Sequence, residues 1–243
     1  MITIIDYGLG NLTSVKNALD KLGINNQISA DLSILEKSDA LILPGVGAAK
    51  AGMQNLKKKK IDQEIIAHVK KGKPFLGVCL GMQLLMSFSK EGNVECLNII
   101  PGRVVILGMT QGEAWRRTPE SKISDSGQKT QLSQAPLNGA SQNVTDYDFK
   151  VPQIGWNNVE IQNSEFRIQN SLFKNIPDKS FFYFVHSYYC EPEDKSVIAG
   201  ITEYGIEFCS VLQKENVWGA QFHPEKSSDA GLQMLKNFSK ICT

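Results

Sequence analysis

Cys79 lies in Gly77-Val78-Cys79-Leu80-Gly81-Met82-Gln83, midway between two glycines. Gly77-x-Cys79-x-Gly81 has the spacing of a nucleophile elbow, where flanking glycines let the chain turn tightly and expose the middle residue. A thiol at the start of a helix meets free backbone N–H groups and the positive end of the helix dipole, and both favour thiolate. The next N–H, from Leu80, is placed to bind an oxyanion. The chain holds three histidines, so the search for a base is short. His68 stands at the edge of a helical stripe formed by Ile61, Ile65 and Val69, and is predicted to be a partly solvated boundary residue. His186 falls in the aromatic run 181–189, which reads as one central strand, and is either a hydrogen-bonded core histidine or part of a site. His223 sits just past a strand end, in Phe222-His223-Pro224-Glu225. Pro224 biases His223 toward extended geometry, which puts His223 and Glu225 on one face. The carboxylate can then hold one imidazole nitrogen and leave the other to the thiol. That is the logic of a triad, with Cys79 as nucleophile, His223 as base and Glu225 as orienter.

Two further features bear on a substrate. Gln83 is four residues past Cys79, one turn along the same helix face, where an amide can recognise a small polar molecule. Pro44-Gly45-Val46-Gly47 follows the apolar run 40–43. Such a turn can aim N–H groups into a cleft at the carboxyl ends of parallel strands, which makes Val46 and Gly47 candidate second oxyanion donors.

The elements that must position these groups alternate between strand and helix patterns. Residues 2–6 read as a first strand, followed by a helix with Leu12, Val15, Leu19 and Leu22 inward, Asn11 as N-cap and Gly23 as stop. Further strands are predicted near 40–43 and 74–78, then near 103–107, 156–161, 181–185, 197–202, 208–213 and 217–222. Leu80 to Met86 continue from the elbow as strong helix formers, and a last helix turns Met234, Leu235, Phe238 and Ile241 inward. The composite is α/β, a mixed central sheet with helices on both sides. Gly8-Leu9-Gly10 lacks the third glycine, and an acidic partner some twenty residues on, that a dinucleotide site requires.

With 243 residues and 42% apolar content, the chain can form one domain spanning 1–243. At that size a fold buries roughly 70–75% of the unfolded surface. A net charge of +1 excludes an electrostatic nucleic-acid binder. Five cysteines without CxxC spacing argue against a metal site and, with no signal peptide, for a reducing, cytoplasmic location. No apolar run reaches membrane-spanning length. Residues 108–150 stand apart: 11 of the 43 are apolar, about 26%, so a polar surface insertion is predicted there.

The segments DYGLGNL (6–12), PGVG (44–47), GVCLGMQ (77–83), VPQIGWN (151–157), YFVHSYY (183–189) and QFHPEKS (221–227) together resemble the triad-type glutamine amidotransferases. Within that group they are similar to the glutaminase subunit of imidazole glycerol phosphate synthase. The resemblance implies a three-layer, flavodoxin-like fold of the class I glutamine amidotransferase kind, and no cofactor. It implies that Cys79 forms a thioester with glutamine, and that Gly47, Gln83, Ser187 and Tyr188 hold the substrate. It further implies a heterodimer in which ammonia passes to a (β/α)8-barrel cyclase or synthase. Tyr7, Asn11, Pro152, Trp156, Asn157, Tyr183 and Lys226 fall at positions resembling the docking surface and channel mouth. In such proteins the PGVG turn reorients its N–H toward the oxyanion only once the partner is loaded. One departure is Gln153, where relatives mostly have His; VPQIGWN is more like paralogues that feed ammonia to amidation of bacterial surface sugars. A free-standing cysteine hydrolase of γ-glutamyl compounds is the remaining alternative.

Overall fold

The computed structural model describes residues 1–108, 149–162 and 171–242. The predicted insertion at 108–150 falls almost wholly outside the described residues. The first half of the chain runs β1 (Ile2–Ile5), α1 (Leu12–Lys21), β2 (Asn26–Ser29), α2 (Leu32–Lys37), β3 (Ala40–Gly45), α3 (Ala49–Lys58), α4 (Ile61–Lys70), β4 (Phe75–Cys79) and α5 (Leu80–Gln83). The short strands β5 (Phe88–Ser89) and β6 (Val94–Glu95) follow, and then β7 (Gly102–Ile106), β8 (Gln153–Ile161), β9 (Ser180–His186), β10 (Tyr188–Pro192), β11 (Ile198–Glu203), β12 (Glu207–Lys214), β13 (Val217–Ala220) and α6 (Ser228–Ile241).

Strands β2-β1-β3-β4-β13 lie side by side and parallel, the order of a flavodoxin-like sheet. Beyond β13 the pairing turns antiparallel through β12, β10 and β7, and β11, β8 and β9 branch from β12. Four of these strands, β1, β3, β4 and β13, are buried on both faces, while β2 is a partly exposed edge, and alternate residues feed two separate cores. Ile2, Ile4, Ala40, Ile42, Leu76 and Val78 pack with α1 and α6; Ile5, Leu41, Leu43 and Phe75 pack with α2, α3 and α4. This is the predicted α/β three-layer arrangement.

Local chemistry sets the helix ends. Asn11 accepts from the Ser14 N–H at 3.3 Å and starts α1. Gly23, at φ +68, ends it by bonding back to the Asp20 carbonyl. Met234, Leu235 and Phe238 of α6 face inward as predicted. The helix after Cys79 is shorter than its helix-forming residues imply. Leu84, Leu85 and Met86 lose their carbonyls to the N–H groups of Leu97, Asn98, Ile99 and Ile100, so tertiary bonding replaces the next helical turn. A single turn carries little macrodipole, and so the helix-dipole support expected for the Cys79 thiolate is correspondingly small.

Two other expectations are corrected. His68 is buried at 1% exposure, because the loop after α4 folds back and the Pro74 carbonyl meets its Nε2 at 3.2 Å. The run 181–189 is two strands that separate at Ser187. Among the described residues β9 pairs with β8 alone, whereas β10 enters the main sheet between β12 and β7. Alternating burial along β9 marks a ribbon with one open face, not a central strand.

Candidate active site

Cys79 is the last residue of β4 and adopts φ +54, ψ −112, a conformation that side-chain-bearing residues rarely tolerate. The flanking glycines are dictated by close approach. A Cβ on Gly77 would stand 2.5 Å from the Gly81 carbonyl oxygen, and one on Gly81 would stand 1.8 Å from that of Leu43. Only Gly-x-Cys-x-Gly lets the strand reverse so sharply against β3.

His223 leaves β13, the strand next to β4. Its own N–H is held by the Tyr183 carbonyl at 2.9 Å, and its carbonyl by the Ser227 hydroxyl at 2.6 Å. Nδ1 meets Glu225 Oε1 at 2.9 Å, and both side chains are almost completely buried. His223 is extended as predicted, but Pro224–Lys226 forms a 3-10 turn, and it is this turn that brings the carboxylate back to the ring. Burial alone would lower the His223 pKa; hydrogen bonds and charge attraction from Cys79 and Glu225 outweigh it and raise it to about 10. Around the sulfur, the Val185 carbonyl and Gln221 Nε2 each lie 3.8 Å from Sγ.

Cys79 and His223 open onto a cleft of about 490 Å3, bounded by Val46, Gly47, Leu80, Gln83, Ser187 and Tyr188 among others, and Glu225 stands behind the imidazole. Gly45 is paired with Cys79, so the turn that follows β3 hangs beside the Cys79 thiol. Gln83 is buried, and its Nε2 donates to the Tyr188 carbonyl at 2.9 Å and to Gln221 Oε1 at 3.1 Å. His186 also borders the cleft, with Nδ1 2.9 Å from the Tyr188 carbonyl and Nε2 2.9 Å from Gln153 Oε1. Burial, against the bond to Tyr188, lowers its pKa to about 4. The buried bonds therefore run from Gln153 through His186, Tyr188, Gln83 and Gln221 to the thiol.

The sequence reading missed three residues here: Gln221, Val185 and Glu91. Gln221 was within reach, since it precedes His223 by two positions on a chain leaving a strand. Glu91 reaches the cleft from the loop after β5, where no pattern marks it, and its Oε2 accepts from the Ala49 N–H at 2.8 Å. Burial raises its pKa more than that bond lowers it.

Of the seven residues expected at a docking surface, six reach the surface at least in part and one does not. Tyr7 is completely buried, because it follows β1 into the core shared by β3 and α3. Asn11 caps α1, Asn157 Nδ2 donates to the Glu203 carbonyl at 2.8 Å, and Pro152 and Lys226 border the cleft. Trp156, 51% exposed, lies edge-on to Tyr183 at 6.0 Å. Among the described residues no cluster of His, Cys, Asp or Glu could hold a metal ion, and no helix is long and apolar enough to cross a membrane.

The family model of the class-I glutamine amidotransferases matches residues 3–242. The imidazole glycerol phosphate synthase subunit HisH of Chlorobaculum tepidum is 39% identical over 243 residues, spanning 99% of this chain and 100% of that protein. The subunit of the same name from Syntrophotalea carbinolica is 40% identical over 242 residues, again 99% and 100%. Among solved structures, a glutamine amidotransferase superposes with a TM-score of 0.65 at 15% identity, over 99% of this chain and 98% of that one. The glutaminase domain of Trypanosoma brucei CTPS with bound acivicin gives 0.56 at 15%, over 98% and 93%. These structural likenesses bear on the fold alone.

Proposed function

The chain belongs to the class-I glutamine amidotransferase family, and we infer that it is the glutaminase subunit of an imidazole glycerol phosphate synthase. It is a glutamine amidotransferase. The observation that carries the chemistry is the meeting of Cys79 and His223 in one cleft, with Glu225 bonded behind the imidazole, from strands that are neighbours in space and far apart in sequence.

In the proposed reaction, the Cys79 thiol gives its proton to His223, Sγ adds to the side-chain amide carbon of glutamine, and the C=O electrons move onto oxygen. The oxyanion takes the Leu80 N–H and an N–H of the Val46–Gly47 turn. When the tetrahedral adduct collapses, the C–N bond breaks and His223 gives its proton to nitrogen, releasing ammonia and leaving a γ-glutamyl thioester. Water then attacks the thioester carbon while His223 takes up its proton. Glutamate departs, and the proton returns to sulfur. Glu225 holds Nδ1 throughout. Gln83, Ser187 and Tyr188 line the glutamine site with Gly47, and Glu91 offers the carboxylate that suits the substrate's α-ammonium.

The partner is proposed to be a (β/α)8-barrel subunit forming a heterodimer and receiving the ammonia. Its docking surface would include Asn11, Pro152, Trp156, Asn157, Tyr183 and Lys226. The open face of the β8–β9 ribbon supports this, since the cross-strand pairs Ile154–Val185 and Trp156–Tyr183 leave Ile154 63%, Trp156 51% and Val185 37% exposed. The whole of 1–243 is taken as one amidotransferase domain, with 108–150 as its polar insertion. Gln153 favours a second reading of the acceptor, a surface sugar undergoing amidation. Glutamate release is to be measured with glutamine alone, with a cyclase-type barrel partner, and with a sugar amidation partner. Stimulation by the cyclase alone supports the first reading, stimulation by the sugar synthetase alone the second, and strong turnover without either contradicts both.

A further inference from the structure

The hydroxyl of Tyr7 is completely buried and has no hydrogen-bond partner among the described residues. It stands at a junction. A Cβ placed on Gly45 would lie 2.4 Å from Tyr7 Oη, 2.8 Å from Leu80 Cβ and 3.1 Å from the Gly81 nitrogen. The phenol is thus packed on the first residue of the oxyanion turn, at the point where that turn touches the nucleophile elbow. Loop 6–11 also leans on the preceding peptide, Pro44–Gly45, since a Cβ on Gly10 would lie 3.1 Å from the Pro44 carbonyl oxygen. The far side of the turn is open. Val46 is 44% exposed, and Gly47, at φ +97, has nothing among the described residues within 4 Å of where its Cβ would be.

A trans peptide carries its N–H and C=O on opposite sides. Turning the Gly45–Val46 peptide so that the Val46 N–H faces the cleft therefore sends the Gly45 carbonyl the other way, toward the buried phenol. An unpartnered buried hydroxyl is unfavourable and gains most from such an acceptor. We propose that Tyr7 is a positioning residue whose O–H donates to the Gly45 carbonyl when the Val46 N–H is presented to the substrate oxyanion. Tyr7 thereby links loop 6–11 to the oxyanion turn. Burial, with the charge of Cys79 adding to it, raises the Tyr7 pKa well above its ordinary value, so the group stays a donor. The inference rests on the glutaminase reading and deepens it.

The test is Tyr7→Phe in the full chain, assayed with saturating partner. It removes one oxygen and leaves the packed ring. The expected result is a kcat for glutamine lowered about tenfold, the scale of one neutral hydrogen bond, with KM unchanged. The melting temperature should be equal to or above that of the parent, because the lost hydroxyl has no partner in the resting state. The rate of Cys79 alkylation by iodoacetamide, which needs no oxyanion, should also be unchanged. An unaltered kcat, or a fall in melting temperature and alkylation rate along with kcat, overturns the proposal. If the parent chain itself hydrolyses no glutamine with any partner, the glutaminase reading fails instead, which keeps the two failures distinct.

Discussion

Gly45 and Cys79 are register partners in the parallel pair β3–β4, so the 44–47 turn and the Cys79 thiol leave adjacent strands at the same height. Everything the cleft can do follows from that adjacency, and it places demands on the backbone as well as on the side chains. Cys79 holds φ +54 because the strand must reverse immediately after Val78.

Backbone strain of this kind is worth about 1–3 kcal/mol, against the 0.5–1 kcal/mol of chain entropy that glycine forfeits. Cys79→Ala keeps the strain and Cys79→Gly releases it. Both variants are expected to lose glutamine-dependent turnover while the partner still works on added ammonium salt. In urea, Cys79→Gly should unfold at the higher midpoint, its unfolding free energy exceeding that of Cys79→Ala by about 1 kcal/mol. The reverse order would mean that the elbow is not strained.

The raised His223 pKa makes a prediction of definite sign. A histidine whose folded pKa lies near 10 stabilises the fold fully below its unfolded value, near 6.5, and loses that contribution as pH rises through about 10. Stability should therefore decline between pH 6.5 and 10. Glu225→Gln and Cys79→Ala each remove one of the two partners that raise the pKa, so each should flatten the decline. Denaturant melts across that range decide it, and an unchanged slope in both variants would contradict the assignment.

Much of this was legible in the chain. The parallel strands β1, β3, β4 and β13 announce themselves as apolar runs, whereas the polar edge strand β2 carries no such signal and was not predicted; the elbow is marked by glycines that the close approaches to Gly81 and Leu43 require. The His223–Glu225 contact was read correctly in outcome, although a 3-10 turn produces it. The failures share a cause. The truncated α5, the burial of His68 and of Tyr7, and the break at Ser187 are set by partners remote in sequence: residues 97–100, the Pro74 loop, the β3 turn, and the divergent pairing of β9 and β10. Periodicity registers what one element wants and is silent about which distant carbonyl will compete for it. Gln83 shows the same limit, since its amide group is bonded to Tyr188 and Gln221 within the wall of the cleft.

His68 offers a clean acid counterpart, because it sits on α4 against the Pro74 loop and takes no part in the cleft. Burial lowers its pKa to about 4. A histidine depressed in this way contributes stability that is present above pH 6.5 and lost as pH falls toward 4, as the unfolded chain takes up the proton first. His186, also lowered to about 4, adds to the same limb. His68→Gln can retain a bond to the Pro74 carbonyl while abolishing titration. It should shallow the acid limb between pH 6.5 and 4 with glutamine turnover unaltered. An identical limb in parent and variant would show that His68 does not titrate differently on folding.

Gln153 faces the other end of the buried chain of hydrogen bonds. A neutral imidazole has one N–H, and the His186 ring is bracketed by the Tyr188 carbonyl and the Gln153 amide. Gln153→Glu replaces the amide by a carboxylate at the same reach, which favours the imidazolium and moves the His186 pKa upward from about 4. The acid limb of stability should then shrink, as it does in His68→Gln, and the two effects should add because the residues share no partner. A charged His186 also repels a proton on His223, whose charge already acts on it, so glutamine turnover should fall in this variant though not in His68→Gln. Histidine ring resonances followed by NMR across pH 4–8 give the readout. If the His186 signal in Gln153→Glu titrates no higher than in the parent, the bond from Gln153 does not govern that ring.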